Sequence, residues 1–212
     1  MATSKQLENW RGRFGNAYAD RNAVTSERVQ NYTHAFATIW RRLTADPPTS
    51  ILECGCNVGL SLRALRNLTD ATLSAVEPNE KARDVAAQAN VTPEDNLHDG
   101  SVQDLPFQNL SFDLVFTSGV LIHVAPDDLN SALDELARVS RKYVLLIEYF
   151  ARELEPIPYR GQEDMLWKAD YGRLFISRHP NWAPVDAGFF WEPTTGFDDS
   201  NWWLFMNRGS DE

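Results

Sequence analysis

Cysteine is nearly absent. The 212 residues hold two, both in Cys54-Gly55-Cys56, too few and too close for a disulfide framework or a four-ligand zinc site, so they read as small packing residues. The four histidines, His34, His98, His123 and His179, are scattered, and no metal cluster is expected. No run of about 18 apolar residues offers a membrane span, and the opening Met1-Ala2-Thr3-Ser4-Lys5-Gln6 lacks the apolar core of a signal peptide; a cytoplasmic protein without membrane partners is expected. Positive charge is also scarce. The formal net charge is −10, and although residues 1–50 carry seven Lys/Arg against four Asp/Glu, the remainder stands at −13. That balance argues against a broad nucleic-acid surface. Internal repeats and low-complexity segments are missing too, and 43% hydrophobic content over this length suits one domain, 1–212, burying roughly 70% of its unfolded surface.

What is present begins with a short apolar strand entering an acidic, glycine-punctuated turn, Ile51-Leu52-Glu53-Cys54-Gly55-Cys56-Asn57-Val58-Gly59. Glycine at 55 and 59 lets the backbone turn tightly and approach a ligand. After one helix and one strand, Leu73-Ser74-Ala75-Val76-Glu77-Pro78 supplies a second acid, Glu77, 22 residues beyond Gly55. An acid about 20 residues on, at the tip of the next strand, can accept both ribose hydroxyl protons. The pair points to a bound nucleoside. The turn reads E-x-G-x-x-x-G, with Asn57 where a dinucleotide fingerprint has its middle glycine, so a pyrophosphate is the weaker fit.

Further along, Val29, Tyr32, Phe36, Ile39, Trp40 and Leu43 recur at helical spacing before Asp46-Pro47-Pro48 stops the helix. Leu62, Leu65 and Leu68 mark a helix after the glycine turn, and Asn79 is placed to N-cap another that ends near Asn90. Strands are expected near Leu97 and over Phe112–Thr117. A helix opened by Pro126-Asp127-Asp128 should turn Leu129, Leu133, Leu136 and Ala137 inward, and the apolar Tyr143–Ile147 reads as a strand covered on both faces. Beyond it Pro156 and Pro158 interrupt regular structure before a helical stretch running through Leu166, Leu174 and Phe175 to His179-Pro180. Aromatic strands follow near Val185–Trp191 and Trp202–Asn207. Periodicity alone gives an α/β layered domain.

The glycine turn, the Glu77 strand end, Gly100-Ser101-Val102-Gln103-Asp104-Leu105-Pro106-Phe107 and Phe112-Asp113-Leu114-Val115-Phe116 together resemble the nucleoside-binding half of class I S-adenosylmethionine-dependent methyltransferases. The resemblance implies a Rossmann-like three-layer fold, with a mostly parallel seven-stranded sheet whose final strand is antiparallel, and S-adenosylmethionine as cofactor. It places Glu53, Gly55, Asn57, Gly59, Glu77 and Pro78 around that cofactor. Family members commonly hold adenine with an acid at the position of Ser101; here the Ser101 hydroxyl and the Val102 amide are left for that contact, with Asp99 as a second candidate. Ligands in open α/β sheets lie beyond the carboxyl ends of the strands, which brings Thr117-Ser118-Gly119 beside the methyl donor and Glu148-Tyr149 toward the acceptor. His123 is either a general base or a residue capping the next helix and packing on Trp or Tyr.

The flanks Trp10-Arg11-Gly12-Arg13-Phe14-Gly15-Asn16-Ala17-Tyr18-Ala19-Asp20-Arg21-Asn22, Gly119-Val120-Leu121-Ile122-His123, Ile157-Pro158-Tyr159-Arg160-Gly161-Gln162-Glu163-Asp164 and Trp202-Trp203-Leu204-Phe205 resemble the pseudaminic-acid-biosynthesis-associated methylases. That subgroup implies a small polar acceptor: a nonulosonic sugar, its nucleotide conjugate or a precursor. Residues 1–45 then read as a helical lid and 150–182 as an acceptor-side insertion. Tyr18 and Arg21 would fold over the cofactor, the guanidinium meeting the methionine carboxylate, and Tyr159 with Arg160 would bind an anionic acceptor. The competing readings are a protein or tRNA-base methyltransferase, and a cofactor-binding scaffold that would not depend on Glu148, Tyr149 or His123.

Overall fold

The computed structural model describes residues 4–209; Met1–Thr3, from the stretch read for a signal peptide, and Ser210–Glu212 lie outside them. Three helices come first, α1 (Lys5–Arg11), α2 (Arg13–Arg21) and α3 (Ser26–Trp40). The alternating half follows, with β1 (Ser50–Cys54), α4 (Leu60–Arg66), β2 (Thr72–Val76), α5 (Glu80–Ala87), β3 (Leu97–His98), β4 (Phe112–Ser118), α6 (Pro126–Val139) and β5 (Ser140–Glu148). The chain continues through β6 (Glu155–Pro156), β7 (Trp167–Lys168), α7 (Tyr171–Arg178), β8 (Trp182–Phe190), α8 (Glu192–Thr195) and β9 (Ser200–Asn207).

Seven strands pair in the order β3-β2-β1-β4-β5-β9-β8. The first five are parallel, and β9 runs antiparallel to both neighbours. This is the Rossmann-like sheet the resemblance implies. Side-chain alternation sorts each central strand between two cores. Leu52, Val115, Val144, Leu146 and Phe205 meet α6 and α7 on one face. Ile51, Leu114, Phe116, Leu145 and Leu204 meet α3 and α4 on the other. Strands buried on both faces must be apolar throughout, which is why Tyr143–Ile147 shows no polar alternation.

The expected helices end slightly earlier than their apolar runs. Leu43 and Leu68 fall just past α3 and α4, yet both pack on the same core. Asn79 does cap α5, its side chain accepting from the Ala82 amide at 2.9 Å. One stretch differs from its reading. Leu166 is not helical: its carbonyl accepts the Ile157 amide at 2.8 Å beside the two-residue β6–β7 hairpin, and the helix starts only at Tyr171, behind the Asp170 cap. A buried Leu in a hairpin and one in a helix carry the same apolar signal. Within 150–182, α7 belongs to the sheet layer, with Tyr171 and Phe175 fully buried, and the hairpin segment before it joins the same core through Leu166 and Ala169, with Ile157 and Tyr159 packed against it. Among the described residues no helix is long and apolar enough to cross a membrane, and no group of three His, Cys, Asp or Glu could hold a metal ion.

Candidate active site

A cavity opens at the carboxyl ends of β1, β2 and β4, where Glu53, Glu77 and Ser118 line it, and α1 and α2 close it through Leu7, Trp10, Gly15 and Tyr18. Its floor is the glycine turn. Gly55 has φ 80 and Gly59 φ 78, and a Cβ on Gly55 would stand 2.5 Å from Val120 Cγ2. Asn57 also takes a left-handed conformation, φ 46, which Asn tolerates better than other side chains. That twist aims its amide at Glu77: Asn57 N donates to Oε2 at 2.8 Å, and Asn79 N donates to Oε1 at 2.9 Å. Glu77 is therefore an acceptor already held in place. Burial pushes its carboxyl above the usual range, with the two amides acting in the opposite sense.

Glu53 is 2% exposed. Burial pushes its carboxyl up to about 8, a Ser61 hydrogen bond works against this, and the Glu77 charge adds to it. Its Oε2 has no hydrogen-bond partner although it is buried against the cavity, and the same holds for Trp10 Nε1. Buried polar atoms without partners are rare. One acceptor and one donor thus await a polar ligand.

His123 also lines the cavity, from a 3-10 turn over Leu121–His123. Its Nδ1 lies 2.5 Å from the Met165 carbonyl, and a carbonyl only accepts, so Nδ1 carries the proton and Nε2 keeps a lone pair. Burial lowers its pKa to about 4, with the Met165 bond opposing. The ring packs on Trp10 at 4.7 Å and Tyr159 at 5.2 Å between centroids, as the packing reading expects, but it does not cap the next helix, whose N-cap is Ala125 with no side-chain bond.

Of the other residues read from the sequence, Asn57, Pro78, Ser101, Val102, Ser118 and Gly119 line the cavity, and Gly59 and Thr117 stand just behind it in the turn and in β4. Glu148 is not at the acceptor position expected for it. Fully buried, it accepts the amides of Val120, Leu121 and Ile122 at 3.2, 3.1 and 3.3 Å, and so braces the turn that carries His123. Burial raises its carboxyl to about 7. Arg21 is exposed, its guanidinium 5.7 Å from the Tyr18 ring centroid rather than inside the cavity. Asp99 is engaged by Arg11 and Arg83, each at 3.1 Å, and does not line the cavity. Tyr149, Tyr159 and Arg160 do not line the cavity: the Tyr159 ring packs on His123 from outside its lining, Arg160 lies over Tyr159, and the Tyr149 hydroxyl donates to Asp198 at 3.4 Å. Sequence reasoning missed Asn79 as more than a cap: its Nδ2 donates to Trp10 O at 3.0 Å and Asn16 Oδ1 at 2.8 Å, tying α1 and α2 to the end of β2. It missed Leu7, Trp10 and Asn22 as lining residues too. The signal available for these was the crowding of Trp10 and Gly15 within one short helical pair.

A family model described as "Methyltransferase domain" matches residues 52–147. The glycine/sarcosine/dimethylglycine N-methyltransferase of Actinopolyspora halophila is 29% identical over 150 residues, 65% of this chain and 26% of that protein. A probable chloroplastic tocopherol O-methyltransferase of Oryza sativa subsp. japonica is 30% identical over 116 residues, 51% of this chain and 31% of that protein. The chain thus matches between about a quarter and a third of the length of these curated relatives. Among solved structures, 1,6-didemethyltoxoflavin-N1-methyltransferase of Burkholderia thailandensis with bound S-adenosylhomocysteine superposes with a TM-score of 0.69 at 16% identity, over 99% of this chain and 93% of that one. Magnesium protoporphyrin IX methyltransferase of Synechocystis PCC 6803 with bound S-adenosylmethionine gives 0.67 at 15%, over 98% and 99%. At these identities the likeness is one of fold.

Proposed function

We propose that this chain is a class I S-adenosylmethionine-dependent methyltransferase that transfers a methyl group to a small polar acceptor, with a nonulosonic sugar or its biosynthetic precursor as the class the flanking segments favour. The observation that supports this best is the meeting, in one cavity, of the preorganised Glu77 carboxylate, the unpartnered Glu53 Oε2 and the neutral His123 ring. The donor fits these residues. Glu77 would take its ribose hydroxyls, Ser101 and the Val102 amide its adenine, and Glu53 its cationic amino-acid end. S-adenosylmethionine supplies a methyl already activated on a sulfonium sulfur, so the chain's main task is alignment, a contribution of about 7 kcal/mol or more. Nε2 of His123 would orient the acceptor's O–H or N–H and accept its proton as the methyl carbon leaves sulfur, whose bonding pair stays behind on the neutral thioether of S-adenosylhomocysteine.

Purified protein should bind S-adenosylmethionine and S-adenosylhomocysteine by calorimetry, and extracts given labelled methyl donor should yield a labelled small molecule identifiable by mass. Preferential binding of NAD, or label only in precipitated protein or tRNA, would remove this reading. Two results should accompany it. Below about 8 the free Glu53 carboxyl holds a proton that a cationic ligand displaces, so S-adenosylmethionine affinity should strengthen as pH rises toward about 8 and then level off. Glu53→Gln should flatten the dependence; an unchanged slope would exclude Glu53 as its source. His123→Asn should cut turnover about a hundredfold and leave donor affinity within about twofold. Because His123 is neutral above about 4, it should add no inflection to kcat between about pH 5 and 8.

A further inference from the structure

The two sides of the cavity differ in chemistry. Glu53, Glu77, Ser101 and Val102, the residues fitted to the methyl donor, lie in or beyond β1, β2 and β3, whereas α1 contributes Gln6, Leu7 and Trp10 beside His123. The same two residues anchor α1 and His123. Gln6 Nε2 donates to Asp164 O at 3.3 Å and Asn9 Nδ2 to Met165 Sδ at 3.3 Å, while His123 Nδ1 donates to the Met165 carbonyl at 2.5 Å. The α1 side is therefore the side of the base.

On that side the indole of Trp10 is fixed in place yet unsatisfied. Its ring meets Phe14 edge-on at 5.1 Å and Tyr18 at 5.2 Å, leans on His123 at 4.7 Å between centroids, and its carbonyl accepts from Asn79 Nδ2 at 3.0 Å. Nε1 can only donate, is buried and has no partner. A buried N–H without a partner forfeits the hydrogen bond that water would give it in the open, so an acceptor atom of a ligand is its natural complement. Charge narrows the choice. Gln6, Leu7, Trp10, Val120 and Val124 carry none, and burial keeps the His123 ring neutral above about 4. A carboxylate brought among them would give up its water for one indole N–H and apolar walls.

We propose that the end of the acceptor that is methylated is an uncharged hydroxyl or amine and that Trp10 selects it, the indole N–H donating to an oxygen or nitrogen that neighbours the nucleophile. This rests on the methyl-transfer reading above. The nucleophile's proton goes to His123 Nε2, its lone pair takes the methyl carbon, and the C–S pair stays on sulfur, so the product is a methyl ether or a methylated amine. Any charge the acceptor carries stays outside this side of the cavity. A hydroxyl or amine without an acceptor atom beside it leaves the Trp10 N–H buried and unpaired, and is rejected for that reason.

Two measurements on the whole chain test this. The labelled small-molecule product formed from an extract and labelled methyl donor is treated with mild alkali, which hydrolyses methyl esters to volatile methanol and leaves methyl ethers and methylated amines intact. Alkali-stable label is expected; label released as methanol identifies a carboxylate acceptor and overturns the proposal while leaving methyl transfer standing. No label in any small molecule removes the methyl-transfer reading and this inference with it. Trp10→Phe, the second measurement, keeps an aromatic ring on His123 and deletes the N–H. Over a dilution series of the extract, its incorporation should be about tenfold lower at limiting extract and near-parental at high extract, with S-adenosylmethionine affinity within about twofold and the melting temperature little changed. Parental incorporation at every dilution overturns the role of Trp10, and so does a matching loss of S-adenosylmethionine affinity, which would assign the N–H to the methyl donor.

Discussion

Glu77→Ala should weaken S-adenosylmethionine binding by about 2 kcal/mol or more, roughly thirtyfold in Kd, because it removes a charge-assisted acceptor for the ribose. The loss has a second source. With the carboxylate gone, the Asn57 and Asn79 amides, 2.8 and 2.9 Å from its oxygens, lose their shared partner, so the glycine turn and the start of α5 are no longer fixed to each other. Glu77→Gln should fall between the two, since a neutral amide oxygen can still accept one of these bonds. Calorimetry on all three proteins decides the matter, and undiminished affinity in the alanine variant would take Glu77 out of the donor site.

Gly15→Ala should be the most damaging change in the helical cover. A Cβ there would stand 1.8 Å from the Trp10 carbonyl oxygen and 2.8 Å from Asn79 Nδ2. Nothing flexible takes up that overlap, because the oxygen is backbone and the amide is the latch itself. Overpacking of this kind costs about 1–3 kcal/mol, so docking of α1 and α2 should weaken by roughly 5- to 150-fold, and donor affinity with it. The sheet should survive, as neither helix contributes to the two large cores. Near-parental melting with faster donor release in stopped flow is the expected pair of results; unchanged release would show that the cover does not hold the donor.

The sequence carried the sheet well because its signals are local. Tyr143–Ile147, the Asn79 cap and the 22-residue step from Gly55 to Glu77 each state their own geometry within a few positions. The cavity's cover was harder to see. Trp10 meets His123 more than 100 residues away, and Asn79 reaches back 69 positions to Trp10 O, and no periodicity records such contacts. Glu148 misled for the opposite reason: a strand-end acid looks the same in sequence whether it faces a ligand or the amides of its own loop. Arg21 was placed one turn too deep, since α2 turns Tyr18 and Asn22 inward and leaves Arg21 outside.

The strand order has a consequence for how the chain comes together. β9 is made after β8 yet lies between it and β5, pairing Leu145 with Leu204 on one side and Ala187 with Trp203 on the other. During synthesis from the N-terminus, β5 therefore waits with an open edge along its apolar Tyr143–Ile147 run, and β8 has no sheet to join, until Ser200–Asn207 leave the ribosome. Unpaired edges of that composition recruit other chains. The interval between the emergence of Glu148 and that of Asn207 is the nascent protein's window of greatest exposure to aggregation, and to the chaperones that guard against it.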